Sequence, residues 1–162
     1  MRTLTIFAIT ILAVSCFEEK TKDTSGSDDT SPPEDTAPVD ECSPEGLRDD
    51  ALANGEVLWD GLTLESATPI GDILADTDTY AGQTLQIEGT ITELCTNQGC
   101  WAALQGADGS SMNLKVVDGA LDFRDHAEIG VWAIGEGYFE PDGGHGPQVE
   151  ITGAVIGTVL CD

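Results

Sequence analysis

The sequence predicts a mainly β protein: a small, curved, five-stranded Greek-key barrel with a short N-terminal helix. Two observations support this prediction. The C-terminal half contains five strand-like segments separated by turns, and the first of them alternates apolar and polar residues with a period of two. The first and the last of these segments also carry a central glycine, which permits the sharp bends that a small barrel needs. Five curved strands are typical of the OB-fold, whereas an immunoglobulin-type sandwich needs about seven strands.

Two short helical pieces are expected ahead of the strands. Between residues 43 and 60, the apolar residues Leu47, Ala51 and Leu52 are expected to share one face of a short helical piece. Pro69 suits the first turn of a second helix, and the apolar residues after it continue the helical spacing. We therefore predict a helix over residues 69–75 that ends in an acidic turn.

The five predicted strands follow in chain order. The first, Thr84–Leu94, is long enough to bend and to serve both sheets of a barrel, and Gly89 at its centre predicts a bulge or a bend. Residues 143–147 are glycine-rich and predict a flexible loop before the last strand, which has Gly153 at its centre. The remaining strands are predicted over residues 100–105, 111–117, 128–138 and 149–159.

The N-terminal residues predict a lipoprotein signal peptide over residues 1–15. Arg2 precedes an apolar run that is too short to cross a bilayer, which takes about 20 apolar residues, but that suits a signal peptide. Small residues then lead to Cys16. This pattern resembles the lipobox of bacterial lipoproteins, in which the signal peptide is cleaved before the cysteine and the cysteine is lipidated. Ala13 stands where that motif usually has leucine, so a plain secretory signal is the alternative.

Residues 16–42 predict a disordered acidic tether. They are rich in Ser, Thr, Asp, Glu and Pro and cannot bury enough apolar surface to offset the entropy of ordering. Such a tether would hold a globular domain, residues 43–162, away from the membrane that the lipid contacts. Phe17 follows the cysteine, and the absence of aspartate there, by resemblance to enteric lipoproteins, indicates the outer membrane.

The charge of the chain limits its partners. The net charge is -24, with 30 acidic residues against 6 basic ones, so the phosphate backbone of a nucleic acid would be repelled. The acidity suits solubility, a salty habitat, or the attraction of cations and basic partners, and these alternatives stay open. Besides the membrane, a partner would be an envelope protein or a small ligand.

Four cysteines remain when Cys16 is assigned to the lipid, and export would place them in an oxidising compartment. Cys42 and Cys161 lie at the two ends of the domain, and domain ends are often close together. Cys95 and Cys100 flank a short turn. We therefore expect two structural disulfides, Cys42–Cys161 and Cys95–Cys100.

Residues 68–159 resemble the DUF4920 domains of exported bacterial proteins. The resemblance rests on residues 74–82 at a helix end, on residues 87–91 in a strand, on the Cys-x4-Cys-Trp run of residues 95–101, and on the closing strand. It implies an OB-like barrel and no established activity. The sequence departs from the family at Ala102, where the family often has methionine, and after Lys115, where an aromatic segment is common.

Three interpretations of the run CTNQGCW compete. The first is a disulfide across a hairpin with Trp101 packed beneath it. The second is a copper or zinc site in which His126, His145 or Met112 joins the two thiolates. The third is thiol–disulfide chemistry, although the spacing is longer than that of redox-active motifs and acidic surroundings would raise the thiol pKa. We expect the first.

No catalytic motif accompanies these cysteines. The sequence has no Gly-x-Ser-x-Gly elbow, no phosphate-binding glycine loop with lysine and no His-Glu-x-x-His run. The function predicted is therefore a non-enzymatic binding or accessory module of the cell envelope that needs no cofactor. The alternative is a periplasmic copper- or zinc-binding or thiol-redox protein that uses Cys95 and Cys100.

Overall fold

The computed structural model describes residues 40–117 and 119–161. The predicted signal peptide, Cys16 and most of the predicted tether lie outside these residues. Within this part of the chain, every helix is too short or too polar to cross a bilayer.

The first helix, α1, begins beside the first cysteine of the domain and spans Pro44–Asn54. Pro44 occupies its first turn, and the hydroxyl of Ser43 caps it by accepting the Gly46 N–H at 3.0 Å. The buried residues Leu47 and Ala51 face the barrel, as their spacing predicts. Leu52, expected on the same face, is instead exposed. The helical piece expected from this region is therefore confirmed and is longer than a single turn.

Two shorter helices precede the barrel. Helix α2, Ile70–Ala75, agrees with the predicted helix to within one residue and buries Ile70 and Ile73. Helix α3, Thr77–Tyr80, was not predicted, because it is one turn long and buries no residue. The carboxylate of Asp76 caps it, which explains why an acidic run continues into a helical turn.

The structure has six strands where five were predicted. A 3-10 turn, Phe123–Asp125, lies between the fourth and fifth strands. The strands are β1 Glu56–Trp59, β2 Thr84–Leu94, β3 Trp101–Gln105, β4 Ser111–Lys115, β5 Val131–Gly143 and β6 Gly146–Leu160. Residues 143–147, predicted as a loop, are instead a tight turn that lets β5 and β6 run to the end of one hairpin.

Five of these strands close into the predicted barrel. The sheet order is β1-β6-β4-β3-β2-β5, and a further pairing of β5 with β6 completes the circle. All pairs are antiparallel except β4 with β6, which is parallel. This is the OB-like Greek-key arrangement, so the predicted fold is confirmed. The unpredicted strand, β1, is added outside the barrel by pairing with β6.

Strand β2 bends to serve both sides of the barrel, as predicted. It pairs with β5 from Thr84 to Thr90 and with β3 from Thr90 onward, and a register shift follows between Ile91 and Glu93. Gly89 lies at this crossing, where an added Cβ would be 2.3 Å from the carbonyl oxygen of Gln105. A glycine is required there because the backbones approach closely.

The apolar residues form two clusters. The larger fills the barrel and includes both Cys95 and Cys100. The smaller lies between α1 and the outer faces of β5 and β6, and its buried members are Leu47, Ala51, Trp132, Ile134 and Val155. Helix α1 therefore covers one outer face of the barrel, which explains why alternate residues of β5 are apolar on both sides.

The predicted Cys42–Cys161 disulfide is present. It joins residues 119 positions apart, with Cα atoms separated by 5.7 Å. The bridge ties the chain just before α1 to the end of β6, so the two ends of the domain meet, as expected.

Candidate functional site

The turn between β2 and β3 holds Cys95 and Cys100 at one end of the barrel. The Cys95 N–H donates to the carbonyl of Trp101 at 3.0 Å, and the Gly99 N–H donates to the carbonyl of Cys95 at 3.2 Å. Gly99 has a φ of 62°, in the left-handed region that favours glycine. Both cysteine side chains are buried, with 8% and 7% of their surface exposed.

The predicted Cys95–Cys100 disulfide is not formed in the structure. Both residues are thiols, and their sulfur atoms lie 4.0 Å apart, about twice the bonded distance of roughly 2.05 Å. The sulfur of Cys95 instead interacts with backbone N–H groups of Gln98, Cys100 and Asn97. These groups hold it within the turn, and the thiol of Cys100 points to it as a donor.

The same N–H groups favour the ionised form of Cys95. The Gln98 N–H has the largest effect, burial opposes it, and the Cys100 and Asn97 groups add to it, so that the pKa of Cys95 is lowered to about 7. The sequence-based expectation that acidic surroundings would raise the pKa of these thiols is therefore wrong for Cys95. Backbone dipoles in direct contact outweigh more distant carboxylates.

The 3-10 turn packs against the cysteine turn and clamps it. The Phe123 N–H donates to the carbonyl of Gly99 at 2.9 Å, and the guanidinium of Arg124 donates to the carbonyl of Thr96 at 2.8 Å. Arg124 also pairs with Asp122, and this hydrogen bond is the main reason why the pKa of Asp122 is lowered to about 2. Asp122, the carboxylate that lies beside Gly99 of this turn, is thus paired with an arginine.

The four candidate metal ligands are not brought together. The ring of His145 lies against the ring of Trp101, with centroids 5.4 Å apart, on the outer face of β3. Trp101 also packs against the main apolar cluster, to which both cysteines belong. His126 directly follows the 3-10 turn, and its Nδ1 lies 2.8 Å from a carboxylate oxygen of Glu56. In residues 40–117 and 119–161, no three His, Cys, Asp or Glu side chains form a group that could hold a metal ion.

A second feature, the cleft between α1 and the barrel, was not predicted. It has a volume of about 500 Å³. Its walls come from the start of α1, from residues 67–70, from β2 and β5, and from the turn between β3 and β4. The side chains that matter for its chemistry are Arg48, Ile70, Glu88, Asp108 and Trp132.

Three buried polar atoms in the cleft wall, among the described residues, make no well-aligned hydrogen bond: Arg48 Nε, Glu88 Oε2 and Trp132 Nε1. Arg48 Nε and Glu88 Oε2 form an ion pair at 3.1 Å, but their alignment is not that of a hydrogen bond. Burial raises the pKa of Glu88, against the opposing effects of Arg48 and of the Trp132 indole that points to it. The three groups therefore interact with one another while their hydrogen-bonding capacity is incompletely used.

No family model matches the chain, and no curated protein matches it. The chemistry is therefore argued from the cysteine turn and the cleft themselves.

The sequence contained one indication of the cleft, which is the presence of Arg48 in a chain with few basic residues. The described residues of this acidic chain include few basic side chains, namely Arg48, Lys115 and Arg124. Arg48 is on the predicted apolar-faced helix, and Trp132 is on the side of its strand opposite the barrel interior. That the two converge with Glu88 depends on how α1 packs on the barrel, which no local pattern specifies.

Proposed function

We propose that this protein is an exported, lipid-anchored binding module of the cell envelope whose cleft takes a small molecule without a negative charge. The observation that carries the proposal is the cleft of about 500 Å³ whose wall contains three buried polar atoms without a well-aligned hydrogen bond. Cavities of this size with a few converging polar groups are typical of small-molecule sites. The distant relationship to DUF4920 domains is part of the same proposal and adds no activity to it.

The walls favour an apolar body that carries one hydroxyl or amide group. Two of the three buried atoms are donors, Arg48 Nε and Trp132 Nε1, and one is an acceptor, Glu88 Oε2. A group that both donates and accepts can improve the hydrogen bonding of all three. An anion would meet the carboxylates of Glu45, Glu88 and Asp108 in the lining, so a negatively charged group is opposed.

A matched series of naphthalene probes tests this proposal. Titrating 15N-labelled protein with 2-naphthol should shift the amide resonances of Ala67, Thr68, Ile70 and residues 106–108 and the indole N–H of Trp132. Naphthalene should bind at least tenfold more weakly, because it lacks the polar group, and 2-naphthoate should bind more weakly because it is charged.

Variants locate the site. Ala67→Trp places a large ring in the cleft and should abolish the shifts, whereas Ala53→Trp, at an exposed position of α1 outside the lining, should leave them unchanged. The proposal fails if millimolar 2-naphthol causes no shift in the cleft, or if Ala67→Trp and Ala53→Trp behave alike.

The lipid anchor is supported by the apolar run before Cys16 and by the Cys42–Cys161 bridge, which suits an oxidising compartment outside the cytoplasm. Growth with labelled palmitate should label the protein, and Cys16→Ala should remove the label and release the protein from the outer-membrane fraction. Retention of the Cys16→Ala protein in membranes would contradict the anchor.

A further inference from the structure

We propose that Cys95 and Cys100 form a reversible dithiol–disulfide pair that a small hydroperoxide oxidises, with Cys95 as the attacking thiolate and Cys100 as the residue that closes the bridge. This site lies in the β2–β3 turn, outside the cleft lining, and does not depend on the cleft or its ligand.

The geometry needs only a small movement to form the bond. The sulfur atoms are 4.0 Å apart and must approach by about 2 Å. The residues that flank the turn are fixed by the pairing of Leu94 with Ala102, so the approach falls on the side chains and on the turn between them. A pair this close can bond without separating β2 from β3.

The surroundings distinguish the roles of the two cysteines. The sulfur of Cys95 accepts from the backbone N–H groups of Gln98, Cys100 and Asn97. The guanidinium of Arg124 is also close: its pKa is raised mainly by Asp122 and to a smaller extent by the charge of a Cys95 thiolate. The Cys100 thiol donates toward Cys95. Cys95 is therefore the acceptor of the pair and the better-stabilised thiolate.

Burial and charge select the class of oxidant. With 8% and 7% of their surfaces exposed, the two cysteines are inaccessible to the disulfide of a folded protein. An anionic oxidant would be repelled by a chain of net charge -24. A small, neutral molecule with a weak O–O bond, hydrogen peroxide or a short alkyl hydroperoxide, satisfies both restrictions.

The chemistry balances without any other oxidant. The Cys95 thiolate attacks the terminal oxygen of the hydroperoxide; the O–O bond breaks, an S–O bond forms, and the leaving oxygen takes a proton to become water or an alcohol. The Cys100 sulfur, losing its proton, then attacks the Cys95 sulfenic acid; the S–O bond breaks, the disulfide forms and water leaves. The two thiols lose two electrons, which the hydroperoxide gains, and a dithiol reductant reverses the change.

The experiment follows the peptide that contains both cysteines by mass spectrometry. Reduced protein treated with equimolar hydrogen peroxide at neutral pH should lose two hydrogens from this peptide. Cys100→Ser should stop at a sulfenic acid on Cys95 that dimedone traps, and Cys95→Ser should react about tenfold more slowly, because an ordinary thiol is a few per cent ionised at this pH.

Circular dichroism of each variant checks that it is folded, and the wild-type measurement does not depend on any variant folding. Absence of a Cys95–Cys100 bridge in folded wild-type protein would overturn the proposal. Equal rates for Cys95→Ser and Cys100→Ser would overturn the assignment of roles. Neither result would affect the probe binding expected at the cleft.

Discussion

At the scale of single residues, direct contacts rather than net charge decide the chemistry of Cys95. The chain is strongly acidic, and that composition alone leads to the wrong direction for the thiol pKa. The structure shows why: Asp122, a carboxylate beside the turn, is paired with Arg124, and the groups that lower the pKa of the thiol are backbone N–H dipoles. Composition reports the average field, whereas a pKa depends on the nearest few ångströms.

The pH dependence of alkylation measures this effect. The rate of Cys95 alkylation by iodoacetamide, followed on the reduced protein, should be half-maximal at about pH 7. The protein with Cys95→Ser provides the background from Cys100. A midpoint near that of an ordinary thiol, about 8.5, would contradict the role given to the turn.

The same shift has a consequence for stability. Because the pKa is lower in the folded than in the unfolded chain, the folded chain binds fewer protons between the two values. The stabilisation is fully present above the unfolded pKa and is lost as the pH falls through about 7. The free energy of unfolding of the reduced protein, measured by urea unfolding at several pH values, should therefore decrease as the pH falls through about 7. Cys95→Ser should remove this part of the pH dependence.

At the scale of elements, long periodic segments could be predicted and short ones could not. The alternation of β2 gives its bounds, and the helix predicted after Pro69 agrees with α2. Strand β1 has four residues, of which one is buried, so it carries no detectable period. It is a strand because β6 extends far enough to pair with it, and a pairing of that kind is non-local.

The cysteine turn supplies a prediction at this scale. Gly99→Ala should destabilise the protein more than Gly109→Ala does. Both glycines have positive φ, and that backbone conformation costs a non-glycine residue about 1–2 kcal/mol. An added Cβ at Gly99 would lie 1.8 Å from a carboxylate oxygen of Asp122, whereas nothing lies within 4 Å at Gly109.

Urea unfolding of the two alanine variants measures the difference, and Gly109→Ala isolates the cost of the backbone conformation. Gly99→Ala should also weaken the clamp that Arg124 and Asp122 form on the turn. Equal losses of stability in the two variants would show that Asp122 moves aside freely.

At the scale of the whole molecule, the barrel and the terminal bridge follow from the sequence, and the cleft does not. Five strand-like segments with central glycines in the long ones specify a barrel, and two cysteines at the ends of a domain specify a bridge when the ends meet. The cleft joins Arg48, Glu88 and Trp132 from three elements that are far apart in the chain. Their meeting depends on the docking of α1, which only the packed structure defines.

Removing the terminal bridge should cost more than any surface substitution. The loop that it closes spans 119 residues, and the chain-entropy account gives about 4–5 kcal/mol for a loop of this length. The double variant Cys42→Ala, Cys161→Ala should lose stability of this order in urea unfolding at unchanged pH. Cys100→Ala, which leaves the bridge intact, is the comparison, and a loss below about 1 kcal/mol in the double variant would contradict the account.

The bridge also affects what a protease can achieve. Cys42 and Cys161 join the chain just before the first helix to the end of the last strand. A single backbone cut anywhere between them, for example in the exposed stretch of residues 63–66, leaves two fragments that stay covalently attached. Such a nicked molecule would keep its mass under non-reducing electrophoresis and separate only after a reductant is added.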